Sequence, residues 1–239
     1  MKKLVRTEAV VLRLTRFKES SDVVSLLTRD EGKLKGVAKG RRRPKSRLRA
    51  PLELFTYSEV VLYLDRDRDL QIIKEAKVLK DFDVFRRSHS KFLLANEIAL
   101  FLEKYLPEHQ PVNKIFNMTL KAFLTLESCE VCDGLVYAFK LKGMAFLGHK
   151  PVLDRCVLCG AQLDTFVNES QEVLVDFVNG GVVCPNCARS RSDLKKLSPS
   201  EFEMLRSLML GKFEDIADIL PTQNVQETVN LLVKLMETP

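Results

Sequence analysis

The chain contains no tryptophan, three histidines and ten glycines among its 239 residues, and these shortages exclude several common kinds of site. The histidines His89, His109 and His149 are scattered, and none belongs to an HExxH pair, so no His-based catalytic metal site or nucleophile arrangement is present. The few glycines form neither a GxxxxGK[ST] loop nor a GxGxxG turn, which argues against ATP-driven work by this chain alone. The sequence therefore predicts no catalytic residue.

Long apolar runs are also missing. No stretch reaches the roughly 18 uncharged apolar residues that span a bilayer, and the N-terminal Met1-Lys2-Lys3-Leu4 meets charge before a signal-type apolar segment can develop. We therefore expect a cytoplasmic protein with no membrane partner. Six cysteines, four of them at metal-binding spacing, fit a reducing compartment better than a disulfide framework.

Four of the cysteines form two CxxC pairs that flank a predicted hairpin. An alternating stretch, Glu172 to Val178, and the turn sequence Asn179-Gly180-Gly181 lie between the pairs, so the second pair folds back beside the first. This arrangement is typical of a zinc ribbon, in which four thiolates leave no position for water and the ion is structural. The predicted ligands of one Zn²⁺ per chain are Cys156, Cys159, Cys184 and Cys187.

A third pair, Cys129 and Cys132, complicates this assignment, because it lies nearly as far from Cys156 as the other two pairs lie from each other. Its setting favours two small core residues near a helix end, since it continues an apolar row with i, i+3 spacing. A ligand set that uses this pair and a protein with six buried thiols both stay open as alternatives.

The first 80 residues form a basic part of the chain, with 21 Lys and Arg against 11 Asp and Glu, whereas the other 159 residues carry 17 against 21. Short β-rich runs recur there and predict five strands. The strands are Glu8 to Leu14, Val23 to Thr28, Lys33 to Lys39, Leu52 to Leu64 and Leu70 to Ala76. Five short strands must curl into a barrel to bury one face and hide their edges, and an OB-fold is the commonest solution, with an SH3-like barrel as the alternative.

Between the third and fourth predicted strands, the segment from Lys39 to Arg49 carries seven cations in eleven positions and almost no apolar residue. We call this segment the basic arm and interpret it as a mobile arm that neutralises nucleic-acid phosphates; a solvated loop is the alternative. Aromatic side chains that could stack on bases are sparse. The candidates are Phe17, Phe55, Tyr57 and Tyr63, and each of these is more typical of a core position.

From Ser88 onward the apolar period changes from two to three or four, which predicts helices. The predicted helices are Ser88 to Leu106, Asn113 to about Cys129, Asp133 to Phe146, one that Ser198 caps and Gly211 ends, and Val225 to Met236. The expected fold class is α+β and multidomain. Its parts are an OB-fold at 1–80, a helical domain at 81–152, an inserted zinc ribbon at 153–192 and C-terminal helices at 193–239.

This order of parts resembles the bacterial RecO family of recombination mediators, and several local motifs carry the resemblance. In the barrel these motifs are Glu8-Ala9-Val10-Val11-Leu12, Leu27-Thr28-Arg29-Asp30-Glu31-Gly32-Lys33-Leu34, Val37-Ala38-Lys39-Gly40, Arg43-Pro44-Lys45-Ser46 and Pro51-Leu52-Glu53-Leu54-Phe55. Further on, Phe139-Lys140-Leu141-Lys142-Gly143 leads through Pro151 to the first cysteine pair. The resemblance covers most of the chain.

The resemblance implies a non-enzymatic, nucleoid-associated factor of DNA repair and homologous recombination. Such a factor binds single- and double-stranded DNA, anneals complementary strands and, with the partner RecR, helps to load RecA onto strands coated by single-stranded-DNA-binding protein, whose acidic C-terminal tail it recognises. Carried over by position, the DNA contacts fall on Lys33, Lys35, Lys39, Arg41, Arg42, Arg43, Lys45 and Arg47.

Two other functional classes remain as hypotheses. A basic barrel with a zinc ribbon is also common in RNA-binding proteins of translation or transcription. A nuclease would need a magnesium site, for which Asp65, Asp67 and Asp69 are the candidates, although Arg66 and Arg68 alternate with them as expected at an exposed hairpin tip.

Overall fold

A computed structural model describes residues 3–130, 132–165, 172–189 and 191–237. The chain divides into two compact units, Met1–Ser128 and Cys129–Pro239. The predicted ribbon at 153–192 is thus described except for residues 166–171 and 190. In the described ranges, no helix is both long enough and apolar enough to cross a membrane.

Five strands of the first unit close into a barrel. They are β1 (Lys3–Phe17), β2 (Ser21–Thr28), β3 (Gly32–Ala38), β4 (Tyr57–Leu64) and β5 (Leu70–Lys80). The order around the barrel is β1-β2-β3-β5-β4, and only the β3–β5 pair is parallel. The long β1 pairs with both β2 and β4, and it changes register between Val11 and Arg13, where the strand bends to close the barrel. This five-stranded barrel confirms the predicted OB-fold.

The barrel core consists of the small and branched apolar side chains that alternation along the strands predicts. Its buried members are Ala9, Val11, Val24, Leu26, Leu34, Ala38, Leu52, Val60, Leu62, Leu64 and Ile73. The prediction of one strand from Leu52 to Leu64 was wrong at its start, because Ala50–Leu52 forms a 3-10 turn and β4 begins at Tyr57. Leu52 is nevertheless buried, so apolar character alone could not separate turn from strand.

Three helices follow the barrel in the described part of the first unit: α1 (Val84–Arg87), α2 (His89–Tyr105) and α3 (Asn113–Ser128). A cluster of phenylalanines packs these helices on the barrel. Phe55 is fully buried, and its ring lies edge-on to those of Phe85, Phe92 and Phe123 at centroid distances of 5.9, 5.7 and 5.9 Å. Phe55 therefore serves packing.

The second unit contains helices around a small sheet. Its elements are α4 (Asp133–Phe146), β6 (Val173–Asp176), β7 (Gly181–Val183), α5 (Pro185–Ala188), β8 (Lys195–Leu197), α6 (Pro199–Leu210), α7 (Phe213–Ile216) and α8 (Gln223–Lys234). Strand β6 lies between β7 and β8 in an antiparallel sheet. Helix α4 packs against α6, α7 and α8. The sequence predicted the β6–β7 hairpin but not β8, whose three residues are too few to show alternation.

Helix α6 begins as predicted. The Ser198 side chain accepts from the Glu201 amide, and the Glu201 carboxylate accepts from the Ser198 amide, at 3.3 and 2.9 Å. This is a complete capping box, followed by Pro199 in the first turn. Gly211 ends the helix, again as predicted.

Candidate metal centre and nucleic-acid interface

The four predicted zinc ligands lie together in the second unit. Their Sγ atoms are all within 4.8 Å of one another, and those of Cys159 and Cys184 are 3.7 Å apart. An ion with Zn–S bonds of about 2.3 Å in a tetrahedron separates its sulfurs by roughly 3.8 Å. The donor set and its dimensions therefore fit one metal ion, and four sulfur ligands are consistent with zinc.

Backbone hydrogen bonds shape the first cysteine pair. The Gly160 amide donates to the Cys156 carbonyl at 2.9 Å, and Gly160 has a φ of +78°, which a residue with a Cβ rarely adopts. The Val157 amide donates to the Val182 carbonyl in β7 at 2.8 Å, and the Cys184 amide points at Cys156 Sγ at 3.4 Å. The hairpin thus brings the two pairs face to face.

The surroundings of the sulfurs change their acidity in opposite directions. Burial raises the pKa of the Cys156 thiol, but backbone amides of Cys184, Cys159 and Leu158 donate to the sulfur and bring the pKa down to about 6. At Cys187, contacts with the side chains of Cys184 and Cys159 raise the pKa to about 12. Because thiolates are the metal ligands, a bound cation would stabilise all four in the charged form.

A buried carboxylate that the sequence did not reveal organises the same hairpin. Asp176, at the end of β6, accepts from the amides of Val178 and Asn179 at 2.9 and 3.2 Å, and it pairs with Arg191. Arg191 also pairs with Asp193 at 2.8 Å. These contacts fix the turn and tie it to the segment after the second cysteine pair, and only folding brings such separated residues together.

Cys129 and Cys132 are joined to each other by a disulfide bond, and Cys159 is exposed, so the alternative of six buried thiols was wrong. They lie outside the four-sulfur group, and Cys132 is buried while Cys129 is half-buried. Helix α3 ends at Ser128, so the apolar helical row stops one residue before this pair.

In the first unit, the base of the basic arm is buried rather than exposed. Arg41 is 6% exposed, and its guanidinium lies 2.8 Å from an Asp22 carboxylate oxygen and 2.9 Å from one of Glu53. Asp22, which is 3% exposed, sits at the start of β2. The guanidinium of Arg41, a predicted DNA contact, is therefore buried and paired with two carboxylates of the protein itself.

Arg42 points back to the turn between β1 and β2. Its guanidinium donates to the carbonyls of Lys18 and Glu19 at 2.5 and 2.7 Å, and its Nε lies 3.2 Å from Asp22. The Arg42 amide donates to the Ser20 carbonyl at 3.0 Å. The arm is thus fastened to the neighbouring turn, which differs from the mobile segment that its composition predicts.

Lys33 and Lys35 are engaged with the end of helix α2 and the segment after it. The Lys33 ammonium donates to the carbonyls of Leu102 and Glu103 in the last turn of α2, where a cation is favoured. Burial lowers the pKa of Lys33. Lys35 pairs with Glu108 at 2.6 Å, and this hydrogen bond raises the pKa of Lys35.

The other four predicted DNA contacts are exposed. They are Lys39, Arg43, Lys45 and Arg47. Hydrogen-bonded turns hold this part of the arm, with the Arg43 amide donating to the Gly40 carbonyl and the Ser46 amide to the Arg43 carbonyl, both at 3.1 Å. Arg13, Arg16 and Lys18 are also exposed on β1 and the turn after it.

Comparison with known proteins agrees with the resemblance. Two family models match the chain, recombination protein O N terminal over residues 1–82 and recombination protein O C terminal over residues 86–238. The chain belongs to the recombination protein O (RecO) family. Membership in the RecO family connects the chain with DNA repair and recombination.

Individual relatives extend over most of the chain. DNA repair protein RecO of Caldanaerobacter subterraneus subsp. tengcongensis is 29% identical over 97% of this chain and 90% of its own length. The protein of the same name from Rhodopirellula baltica is 32% identical over 84% of this chain and 73% of its own length. That from Symbiobacterium thermophilum is 30% identical over 87% and 81%, respectively.

Proposed function

We propose that this chain is a recombination mediator with no catalytic step of its own. It binds single- and double-stranded DNA through the barrel, anneals complementary strands and, with RecR, helps to load RecA onto strands coated by single-stranded-DNA-binding protein. The proposal rests on one observation: in this chain of the RecO family, the OB-fold carries a cluster of exposed cations on the basic arm, which is anchored at its base.

The contacts with DNA fall on the exposed cations Lys39, Arg43, Lys45 and Arg47. Lys33 and Arg41 hold the fold, since both are buried against internal partners. Two DNA strands repel each other, and a basic surface that neutralises both lowers the barrier to their meeting. Annealing by this route requires no nucleotide hydrolysis.

The zinc ion is structural in this proposal. Cys156, Cys159, Cys184 and Cys187 would hold it, and the ion would supply a cross-link between the two ends of the hairpin. Because protein sulfurs would occupy all four coordination positions of the ion, no position would remain for water or substrate. The site would then stabilise the fold of the ribbon and would not take part in a reaction.

A pocket in the second unit suits the acidic tail of single-stranded-DNA-binding protein. It has a volume of about 150 Å³. Its lining consists of Lys150, Pro151, Leu153, Asp154, Arg206, Met209 and Leu210. The lining combines four apolar side chains with the two cations Lys150 and Arg206 and the one carboxylate Asp154, and its excess of positive charge beside apolar surface fits a peptide that combines acidic residues with an apolar end.

The DNA assignment is tested by neutralising the arm. We expect the R43Q/K45Q/R47Q variant to lose affinity and annealing rate for DNA, and its plot of log affinity against log salt to be shallower by about two to three, because each lost phosphate contact removes about 0.9 from the slope. The matched control R66Q/R68Q/K74Q removes the same charge from exposed positions at the β4–β5 hairpin and should retain the slope.

The same titration separates the alternatives. It compares single-stranded DNA, double-stranded DNA and structured RNA, with and without magnesium. A strong preference for RNA would favour an RNA-binding protein of translation or transcription, and magnesium-dependent cleavage would favour a nuclease. Unchanged annealing by R43Q/K45Q/R47Q would show that the basic arm does not contact DNA.

The tail pocket is tested with an acidic, Phe-terminated peptide. We expect binding to weaken in K150Q and R206Q and to persist in K234Q, which neutralises an exposed cation on α8 away from the pocket lining. Fluorescence anisotropy of the labelled peptide measures this. Equal affinity of all three variants would show that the peptide does not bind in this pocket. Absence of binding even in dilute buffer would contradict the proposal that the chain recognises the acidic tail.

A further inference from the structure

A buried acidic residue lies directly beneath the most basic segment of the chain. Asp22 is 3% exposed, and its two carboxylate oxygens lie 2.8 Å from the Arg41 guanidinium and 3.2 Å from Arg42 Nε. In the sheet, Asp22 is opposite Arg16 of β1 on one side and Ala38, the last residue of β3, on the other. It therefore occupies the point at which the basic arm leaves the barrel.

Glu53 completes the anchor from the far end of the arm. Its carboxylate is 2.9 Å from the Arg41 guanidinium, which also donates to the Arg49 carbonyl at 3.4 Å. Arg41 thus connects Asp22, before the arm, with Arg49 and Glu53, at and after its end. One buried guanidinium closes the arm into a loop with fixed ends.

This arrangement divides the seven cations of the arm into two groups. Arg41 and Arg42 pair with Asp22, while the other five are exposed: Lys39, Arg43, Lys45, Arg47 and Arg49. A charged loop without such an anchor would sample many conformations and would lose that entropy on binding. Anchoring orders the exposed cations before the ligand arrives.

We infer that Asp22, supported by Glu53, is a positioning residue for DNA binding, and that removal of its negative charge weakens the binding of polyanions. This inference rests on the proposed function. The expected change in DNA affinity is opposite to that from net charge alone, since a protein that loses a negative charge should bind DNA more tightly. Asp22 itself does not touch DNA; it acts through Arg41 and Arg42.

The experiment compares D22N and E53Q with D67N, which makes the same change of charge at an exposed position of the β4–β5 turn. We expect D22N to bind single-stranded DNA about tenfold more weakly and E53Q several-fold more weakly, because Arg41 loses one of its two carboxylate partners in each. D67N should bind as well as the unaltered protein or slightly better. Equal or tighter binding by D22N would overturn the inference.

A second readout reports the arm without DNA. Trypsin cleaves after Lys45, Arg47 and Arg49, and we expect these sites to be cut about tenfold faster in D22N and E53Q than in D67N if the anchor orders the arm. Because Glu53 is half-exposed, we expect E53Q to remain folded even if D22N unfolds. Circular dichroism of each variant shows whether it is folded. Unchanged cleavage in E53Q with a folded barrel would also overturn the inference.

The R43Q/K45Q/R47Q variant separates this inference from the proposed function. If that variant binds DNA normally, the arm is not the DNA surface and the proposed contacts fail, whatever the trypsin result. If that variant loses affinity while D22N and E53Q keep it, the DNA surface stands and only the positioning role fails.

Discussion

The four proposed metal ligands can be distinguished from the other two cysteines by single substitutions. We expect Cys156→Ser to lower the bound zinc from about one ion per chain toward zero, because a closed site needs all four thiolates. Cys129→Ser should keep about one ion, since Cys129 is bonded to Cys132 outside the four-sulfur group. Elemental analysis of the purified variants measures the stoichiometry, and loss of zinc in both variants would place Cys129 in the metal site.

Two neighbouring arginines of the basic arm should respond differently to truncation. Arg41→Ala leaves Asp22 buried without its closest cation, and loss of a partner from a buried pair costs about 3–5 kcal/mol in the free energy of unfolding. Arg43→Ala alters an exposed side chain and should cost less than about 0.5 kcal/mol. Urea unfolding compares the two variants, and equal stability would contradict the buried role of Arg41.

The difference between Arg41 and Arg43 could not be predicted from the sequence. Arg41 and Arg43 lie in the same basic run, and composition predicts phosphate contacts for both. The partner that distinguishes them, Asp22, precedes Arg41 by 19 positions and lies on strand β2. The cluster of four cysteines was easier to predict, because two CxxC pairs show their spacing in the sequence itself.

At the scale of a single element, helix α6 provides a pH-dependent prediction. Hydrogen bonds from the Ser198 amide and from Asn224 and Thr222 lower the pKa of Glu201 below its ordinary value of 4.5. The charged form is therefore favoured in the folded state. Its contribution to stability is complete above pH 4.5 and is lost as the pH falls through the lowered folded-state pKa.

The substitution Glu201→Gln should remove this contribution. We expect a loss of about 1 kcal/mol near neutral pH, the usual worth of a cap, and a smaller difference from the unaltered protein below pH 4.5. The control Glu203→Gln alters an exposed carboxylate of the same helix. A difference that does not depend on pH would show that the Glu201 charge is irrelevant to the cap.

Elements differ in how much of their position the sequence encodes. Helix α4 has the predicted bounds, Asp133–Phe146, and the start of α6 follows from local capping residues. Strand β8 and the turn at Ala50–Leu52 depend on neighbours that are distant in sequence, and a local pattern cannot show them. The division into four domains stays a prediction.

For the whole molecule, removal of the metal should affect the two units unequally. The cysteine site lies within the second unit, whereas the barrel and the basic arm belong to the first. We expect a zinc chelator to lower the melting temperature of the ribbon-containing unit while DNA affinity changes less than about threefold. Calorimetry and DNA titration on the same chelated sample measure both. A parallel loss of DNA affinity would show that the metal supports DNA binding.

The anchoring of Lys33 against the last turn of helix α2 has a consequence for how this chain can vary. Its amine is held by main-chain carbonyls, which every amino acid possesses, so residues 102 and 103 can be exchanged without loss of the contact. Substitutions at the exposed arm positions 43, 45 and 47 can change the charge of the arm without disturbing the fold. Replacement of Lys33 leaves the carbonyls at the end of α2 without their donor, and we expect such a replacement to be tolerated only together with a second, compensating substitution.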